Sequence, residues 1–231
     1  MPDNATPSKQ APVSDTVSLS VDEFLPSEMY FLLRDSILPR PIAWVSTMNI
    51  DGISNIAPFS FFNVCCPSPP VLGFSCGPRG DDHNAKKHGV KDTLQNIRAS
   101  GEFVVNVSPE GLFEQMVDSA QDMSHGISEF ETLGIASAAS DLVKPLRVAN
   151  SPVSFECRVN AIVPLGSNHW VMGDVVKVHI QSAVYRGERE GKRHRVDLLD
   201  DPSTRPVGRL GRAFYSRLSD VMMRQRKDGP N

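Results

Sequence analysis

No apolar run in the 231 residues approaches the ~20 positions that a membrane-spanning helix requires, so no membrane partner is expected. The opening stretch MPDNATPSKQAPVSDTVS lacks the basic-then-apolar pattern of a secretory signal, and the expectation is a cytoplasmic protein. An excess of positive charge is missing too. Lys and Arg number 24 against 27 Asp and Glu, a net charge of −3 that gives no basic field for nucleic acid. Cysteine is scarce, and Cys65, Cys66, Cys76 and Cys157 follow neither CxxC nor zinc spacing. Three of them lie in apolar strand-like runs, which predicts buried, reduced thiols, and the adjacent Cys65 and Cys66 could form only a strained disulfide. Also absent are a GxSxG elbow, an HExxH pair, a Rossmann GxGxxG and a Walker A loop. His83 and His88 sit in a polar loop without a third ligand nearby, so no metal site is expected. A chain with so little acid–base machinery is consistent with chemistry supplied by a cofactor.

What is present is organised around RPIAWVSTMNIDGISNIAPFSFFN, Arg40 to Asn63. Ile42 to Thr47 is β-branched and aromatic enough for a buried strand, and Asn49-Ile50-Asp51-Gly52 is a short polar turn. Asn55 to Val64 resumes an apolar run broken by Pro58, which cannot donate to a ladder and so implies a sheet edge or a bulge. Before it, Val21 to Leu38 has helical spacing, with Pro26 in a first turn and Pro39 as a stop. After it come a strand at Val71 to Cys76, a helix start at Lys91 to Ile97, and a strand at Glu102 to Ser108. A short helix follows at Leu112 to Ala120, then a polar loop at Gln121 to Leu133. Ser151 to Pro164 and Val171 to Val184 are two long alternating strands. Arg186 to Arg195 is a charged hairpin tip, and Thr204 to Arg217 mixes arginines with Gly208 and Gly211. With no repeat and no linker-like break, one domain is expected at residues 21–217, flanked by flexible tails at 1–20 and 218–231.

These residues carry a resemblance. RPIAWVST, then DG, NIAPFSFFN, KDTLQNI at Lys91–Ile97, EFVVNVS at Glu102–Ser108, SPVSFECRV at Ser151–Val159 and GRLGRAFY at Gly208–Tyr215 follow one another in the order of a known family. The chain resembles the flavin reductase-like family of FMN-binding split β-barrels from about Leu25 to Arg217. The resemblance implies a mainly β fold with a few helices, a split barrel, and bound FMN with NADH or NADPH as electron donor. It implies flavin contacts from Ser46 and Thr47 at the end of the first hairpin strand, from Ala57, Pro58, Phe59 and Ser60 in the APFS segment, and from the amide of Asn63. Lys91, Thr93 and Asn96 match the family's KDTLxNI and are the implied phosphate residues; a helix N-terminus suits an anion on general grounds. Arg212 and Tyr215 fall in the C-terminal motif, where Arg212 departs from the commoner glycine pair. A homodimer, a semi-mobile lid at Gln121 to Leu133, and free flavin, iron, a monooxygenase or another redox partner as acceptor are further implications.

Two functions stay open: an FMN-dependent NAD(P)H:flavin reductase, and an FMN-binding electron carrier without nicotinamide turnover of its own. A related barrel binding heme or a deazaflavin, and a purely structural protein, are the remaining alternatives.

Overall fold

The computed structural model describes residues 15–80, 89–189 and 193–223. The expected N-terminal tail up to residue 14, His83 and His88, the hairpin tip at 190–192 and the last residues from 224 lie outside them.

The first strand, β1 (Ala43–Met48), returns antiparallel as β2 (Ser54–Phe59), with Val45 opposite Ala57 and Thr47 opposite Asn55. Asn49 closes the turn. Its Oδ1 accepts the N–H groups of Asp51 at 3.0 Å and Ile53 at 2.8 Å, while Gly52 takes φ 82°. The expected single run from Asn55 to Val64 is two strands. β2 stops at Phe59, and β3 (Phe62–Pro67) pairs with β4 (Pro70–Cys76) instead. β5 (Glu102–Val107), the short β6 (Ser137–Ala138) and β7 (Arg147–Val148), and the long β8 (Val153–Leu165) and β9 (Asn168–Ile180) follow. Two small hairpins close the chain: β10 (Tyr185–Arg189) with β11 (Arg193–Val196), and β12 (Val207–Arg209) with β13 (Tyr215–Arg217).

Seven strands form one antiparallel sheet in the order β2-β1-β5-β8-β9-β4-β3. Its two edge strands, β2 and β3, are neighbours in sequence and are joined only by Ser60 and Phe61. The sheet must therefore curl until its edges meet, which makes a barrel. The seam is closed by side chains, with the Phe59 and Phe74 rings 4.9 Å apart, and not by a β2–β3 ladder. This is a split β-barrel, mainly β with a few helices.

Period-two alternation sorts β1 between two cores. Ala43 and Val45 face the barrel interior with Leu72, Phe74, Phe103 and Cys157, while Trp44 packs outside against Met116, Phe130, Ile135 and Val148. A Cβ at Gly173 would come within 2.3 Å of the Phe103 ring, so the long β9 must carry glycine where it passes β5's aromatic.

Among the described residues four α-helices cap this frame: α1 (Pro26–Ser36), α2 (Asp92–Ser100), α3 (Phe113–Asp118) and α4 (Glu129–Thr132). α2 buries Leu94 and Ile97 in the barrel core and ends at Gly101 with φ 70°. α1 opens on Pro26, and the Glu28 carboxylate accepts the Leu25 N–H at 2.8 Å. No α1 residue is buried, and Phe31, Leu32 and Leu33 are each close to half exposed.

The cysteine expectation needs one correction. Cys76 and Cys157 are buried, and desolvation pushes the Cys76 thiol up to about 12, but Cys65 is exposed because β3 is an outward-facing edge strand. All four thiols are free. No helix among the described residues is long and apolar enough to cross a membrane.

Candidate functional site

The site lies where β1, β2 and the N-terminus of α2 converge. Thr47 points into the barrel end next to α2, and three further polar side chains meet it there. The Thr47 and Thr93 hydroxyls both donate to Asn55 Oδ1, at 3.2 and 3.1 Å, and Asn96 Nδ2 donates to Thr47 Oγ1 at 3.0 Å. Asn55 cannot be turned the other way, because its Nδ2 donates to Glu129 Oε1 at 2.9 Å and a carboxylate only accepts. Glu129 Oε2 takes the Ile56 N–H at 3.1 Å. That N–H points away from β1, so Pro58, two residues on, stands at the next outward position, where a missing N–H leaves nothing unsatisfied. Thr47, Thr93, Asn96, Asn55 and Glu129 are all buried. Burial, reinforced by nearby Asp92, raises the Glu129 carboxyl above its ordinary value, against the pull of its own N–H donors.

Beside this network runs an open cleft of about 400 Å³. Pro58, Phe59 and Phe61 give it an apolar wall, Ser60, Ser75 and Asn168 offer polar groups, and Arg34, Lys91 and Arg209 supply cations. No carboxylate lines it among the described residues. It continues into a smaller cleft of about 190 Å³ that shares Tyr30, Arg34, Pro58, Ser60, Phe61 and Arg209 and ends on Tyr215. The Arg209 guanidinium lies 4.3 Å from the Tyr215 ring centroid, and the Phe113 and Tyr215 rings meet edge-on with centroids 4.9 Å apart. A larger opening of about 530 Å³ lies between α3 and β13, with Glu110, Glu114 and Arg217 on its walls, and takes only Tyr215 from the expected residues.

The expected residues thus divide into three groups. Pro58, Phe59, Ser60, Lys91 and Tyr215 line the joined clefts, and Ala57 lines a small opening beside them that also reaches Lys91 and Thr93. Thr47, Thr93 and Asn96 form the buried network. Their hydroxyl protons and amide are committed inward, so they shape the cleft wall from behind. Ser46, Asn63 and Arg212 stand apart. Ser46 is on the opposite face of β1, where it donates to the Leu146 carbonyl and accepts from Asn106 Nδ2 at 3.2 Å. Asn63 is exposed on β3, with its Oδ1 on the N–H of Val64. Arg212 is exposed at φ 53° and offers its carbonyl to Arg209.

Four residues outside the expected set shape the same region. Buried Arg40 donates to the carbonyls of Arg34, Ile37 and Leu210 and reaches Ser60 Oγ at 3.4 Å, tying α1, the barrel seam and the C-terminal hairpin together. Burial, with Arg209 and Arg34 nearby, lowers its pKa. Asn55 and Glu129 orient the threonines, and Arg79 joins the cations at the α2 N-terminus, where it contacts Asp92 at 3.3 Å and Met123 O at 2.6 Å. Asn55 stood within the hairpin already singled out. Glu129 sits 74 residues further along, and nothing in its local sequence marks it.

Comparison with known proteins agrees with this geometry. Residues 34–195 match the family model described as a flavin reductase like domain. An uncharacterized protein of Aquifex aeolicus is 36% identical over 187 residues, covering 81% of this chain and 88% of its own. Among solved structures, nitrilotriacetate monooxygenase component B from Bacillus cereus superposes with a TM-score of 0.79 at 25% identity, covering 91% of this chain and 99% of that one. The 2-nitrobenzoate 2-nitroreductase NbaA of Pseudomonas fluorescens gives 0.77 at 28% identity, covering 93% and 99%. With most of its length matched by the family model and a polar, cation-lined cleft at its barrel seam, the chain belongs to the flavin reductase-like family.

Proposed function

We propose that this protein is an FMN-dependent oxidoreductase of the NAD(P)H:flavin reductase type, with the flavin in the joined clefts at the barrel seam. The observation that carries the reading is the charge of that cleft: among the described residues three cations and no carboxylate line it, in a chain whose net charge is −3. A flavin mononucleotide asks for a flat apolar wall, polar groups along a ring edge and positive charge for a phosphate. Pro58, Phe59 and Phe61 fit the first requirement, Ser60, Ser75 and Asn168 the second, and Lys91 at the α2 N-terminus the third. Bound FMN supplies an acceptor for hydride from a nicotinamide and a store of electrons for release singly or in pairs.

The chain's own contribution is binding and orientation. Thr93 and Thr47, held by Asn55, keep the α2 N-terminus in register with β1 and β2, so Lys91 projects at a fixed point of the cleft. Arg209, stacked on Tyr215, closes the far end. Bacillus cereus component B and NbaA both carry redox names, and a monooxygenase or another redox protein fits as the acceptor of electrons here. The uncovered apolar face of α1, with Leu25, Phe31, Leu32, Leu33 and Ile37 exposed, supports a homodimer, which sedimentation velocity would report directly.

The test is the visible spectrum of the purified protein with FMN, repeated anaerobically with NADH and then NADPH. Bleaching by one nicotinamide supports a reductase and names the donor. A yellow protein that stays oxidised with both is a carrier fed by another enzyme. Failure to bind FMN at all removes the reading.

A further inference from the structure

The two donors best placed to take a phosphate are already taken by a carboxylate of the same chain. Asp122 Oδ1 accepts from Lys91 Nζ at 3.1 Å, and its Oδ2 accepts the Gly80 N–H at 2.8 Å. Arg79 Nε lies 4.0 Å from the same carboxylate. Lys91 and Gly80 both line the cation-rich cleft, whereas Asp122 does not; it enters from the side, through the small opening it shares with Lys91 and Thr93. Asp122 therefore sits as an anion at the phosphate end of the cleft.

Among the described residues its segment is held there by little else. Residues 119–128 connect α3 to α4, and from Gln121 to Ile127 no residue is buried. Met123 O accepts from Arg79 at 2.6 Å, and His125 bridges the cluster, taking a hydrogen bond from Arg79 at 2.7 Å on Nε2 and contacting Asp92 at 2.5 Å through Nδ1. All of these contacts are polar, and all converge on the cations and acids beside the α2 N-terminus. An arriving anion competes for the very groups that pin the strap.

We propose that Asp122 is a built-in competitor for the anionic group of the ligand. Its carboxylate holds Lys91 and the Gly80 N–H until a phosphate displaces it, and the displacement releases the strap at 119–128. This inference rests on the reading that the cleft takes a phosphate-bearing flavin. Two consequences follow from the geometry. Phosphate binding gives back only the difference between two anions on the same donors, so the wild-type protein gains less from the phosphate than an empty cationic seat would. Strap opening is coupled to the phosphate, and the flavin ring alone does not cause it.

The experiment compares FMN with riboflavin, which has the ring and ribityl chain but no phosphate, by flavin fluorescence titration of the wild type and Asp122→Asn. The expected result is FMN affinity raised about fivefold in Asp122→Asn, the scale of one partly exposed charged contact, with riboflavin affinity unchanged. Equal or weaker FMN binding by the variant overturns the proposal and makes Asp122 a residue that positions Lys91. If FMN and riboflavin bind equally in both the wild type and Asp122→Asn, the phosphate reading itself fails and takes the proposal with it. Hydrogen exchange of the wild-type protein gives a readout independent of the variant's folding: faster exchange across 119–128 with FMN but not with riboflavin is expected. Slower exchange with FMN overturns the displacement.

Discussion

Two buried glutamates, one beside β2 and one on β8, have carboxyl shifts of opposite direction. Glu129 serves the candidate site, with Asn55 Nδ2 and the Ile56 N–H on its oxygens. Glu156, on β8, holds the loop before β7: its carboxylate takes the N–H groups of Asp141 and Leu142, each at 2.7 Å, and His179 Nε2 at 2.5 Å. Burial pushes both carboxyls up. At Glu129 burial wins, helped by Asp92; at Glu156 the two loop N–H groups and His179 outweigh it, and the net shift is downward. Burial alone does not decide whether a carboxyl stays charged. The donors aimed at it, set against burial and the sign of its next neighbour, decide the direction of the shift.

The comparison can be broken from either side. Removing Glu156 as Glu156→Ala leaves two loop N–H groups and His179 without their acceptor, and we expect a loss of about 3–5 kcal/mol of unfolding free energy in urea denaturation at neutral pH. Asn55→Ala strips Glu129 of one donor and the two threonine hydroxyls of their acceptor, for a loss of about 2–4 kcal/mol in the same assay. Glu129→Gln should cost only about 1 kcal/mol, since the shape is kept and one hydrogen bond is exchanged. Lys177→Met, which removes the 2.7 Å partner of exposed Asp141, should leave stability within measurement error.

The pH dependence sharpens the contrast. Glu129, raised above its ordinary 4.5, contributes stability that is full below that pH and is lost as pH rises through its higher folded value. Glu156, lowered from 4.5, contributes stability present above that pH and lost as pH falls through its lower folded value. Unfolding free energies measured from pH 3 to pH 8 should therefore show Glu129→Gln gaining on the wild type as pH rises. Glu156→Gln should lose most at neutral pH and least at pH 3. Parallel profiles for the two variants would sink the distinction.

Much of the frame was legible in the sequence. β1, β4, β5 and α2 announce themselves by period, by β-branched content and by the Gly52 punctuation, and Pro58, which implied an edge or a bulge, falls on the edge strand β2. The break at Ser60-Phe61 was not legible, because PFSFFN reads as one apolar run and only the sheet order shows that its halves lie on opposite edges. The same blind spot hid the exposure of Cys65. In the site, Lys91, Pro58 and Ser60 could be found from the motifs, while the inward commitment of Thr47, Thr93 and Asn96 depends on Asn55 and Glu129, which meet only in three dimensions. Ser46 shows the limit of a motif most plainly. It is next to Thr47 in sequence, but one residue along a strand is the other side of the sheet.

The edge-to-edge seam also constrains how the protein is made. Among the described residues β3 and β4 have no sheet partner other than each other and β9, whose pairing with β4 begins at His169. A nascent chain shorter than that holds β3 and β4 only as an isolated hairpin, a unit of marginal stability in water. β1 likewise waits for β5, and β5 for β8. Closure is deferred until β9 has left the ribosome, and the barrel belongs with the slow folders dominated by distant pairings.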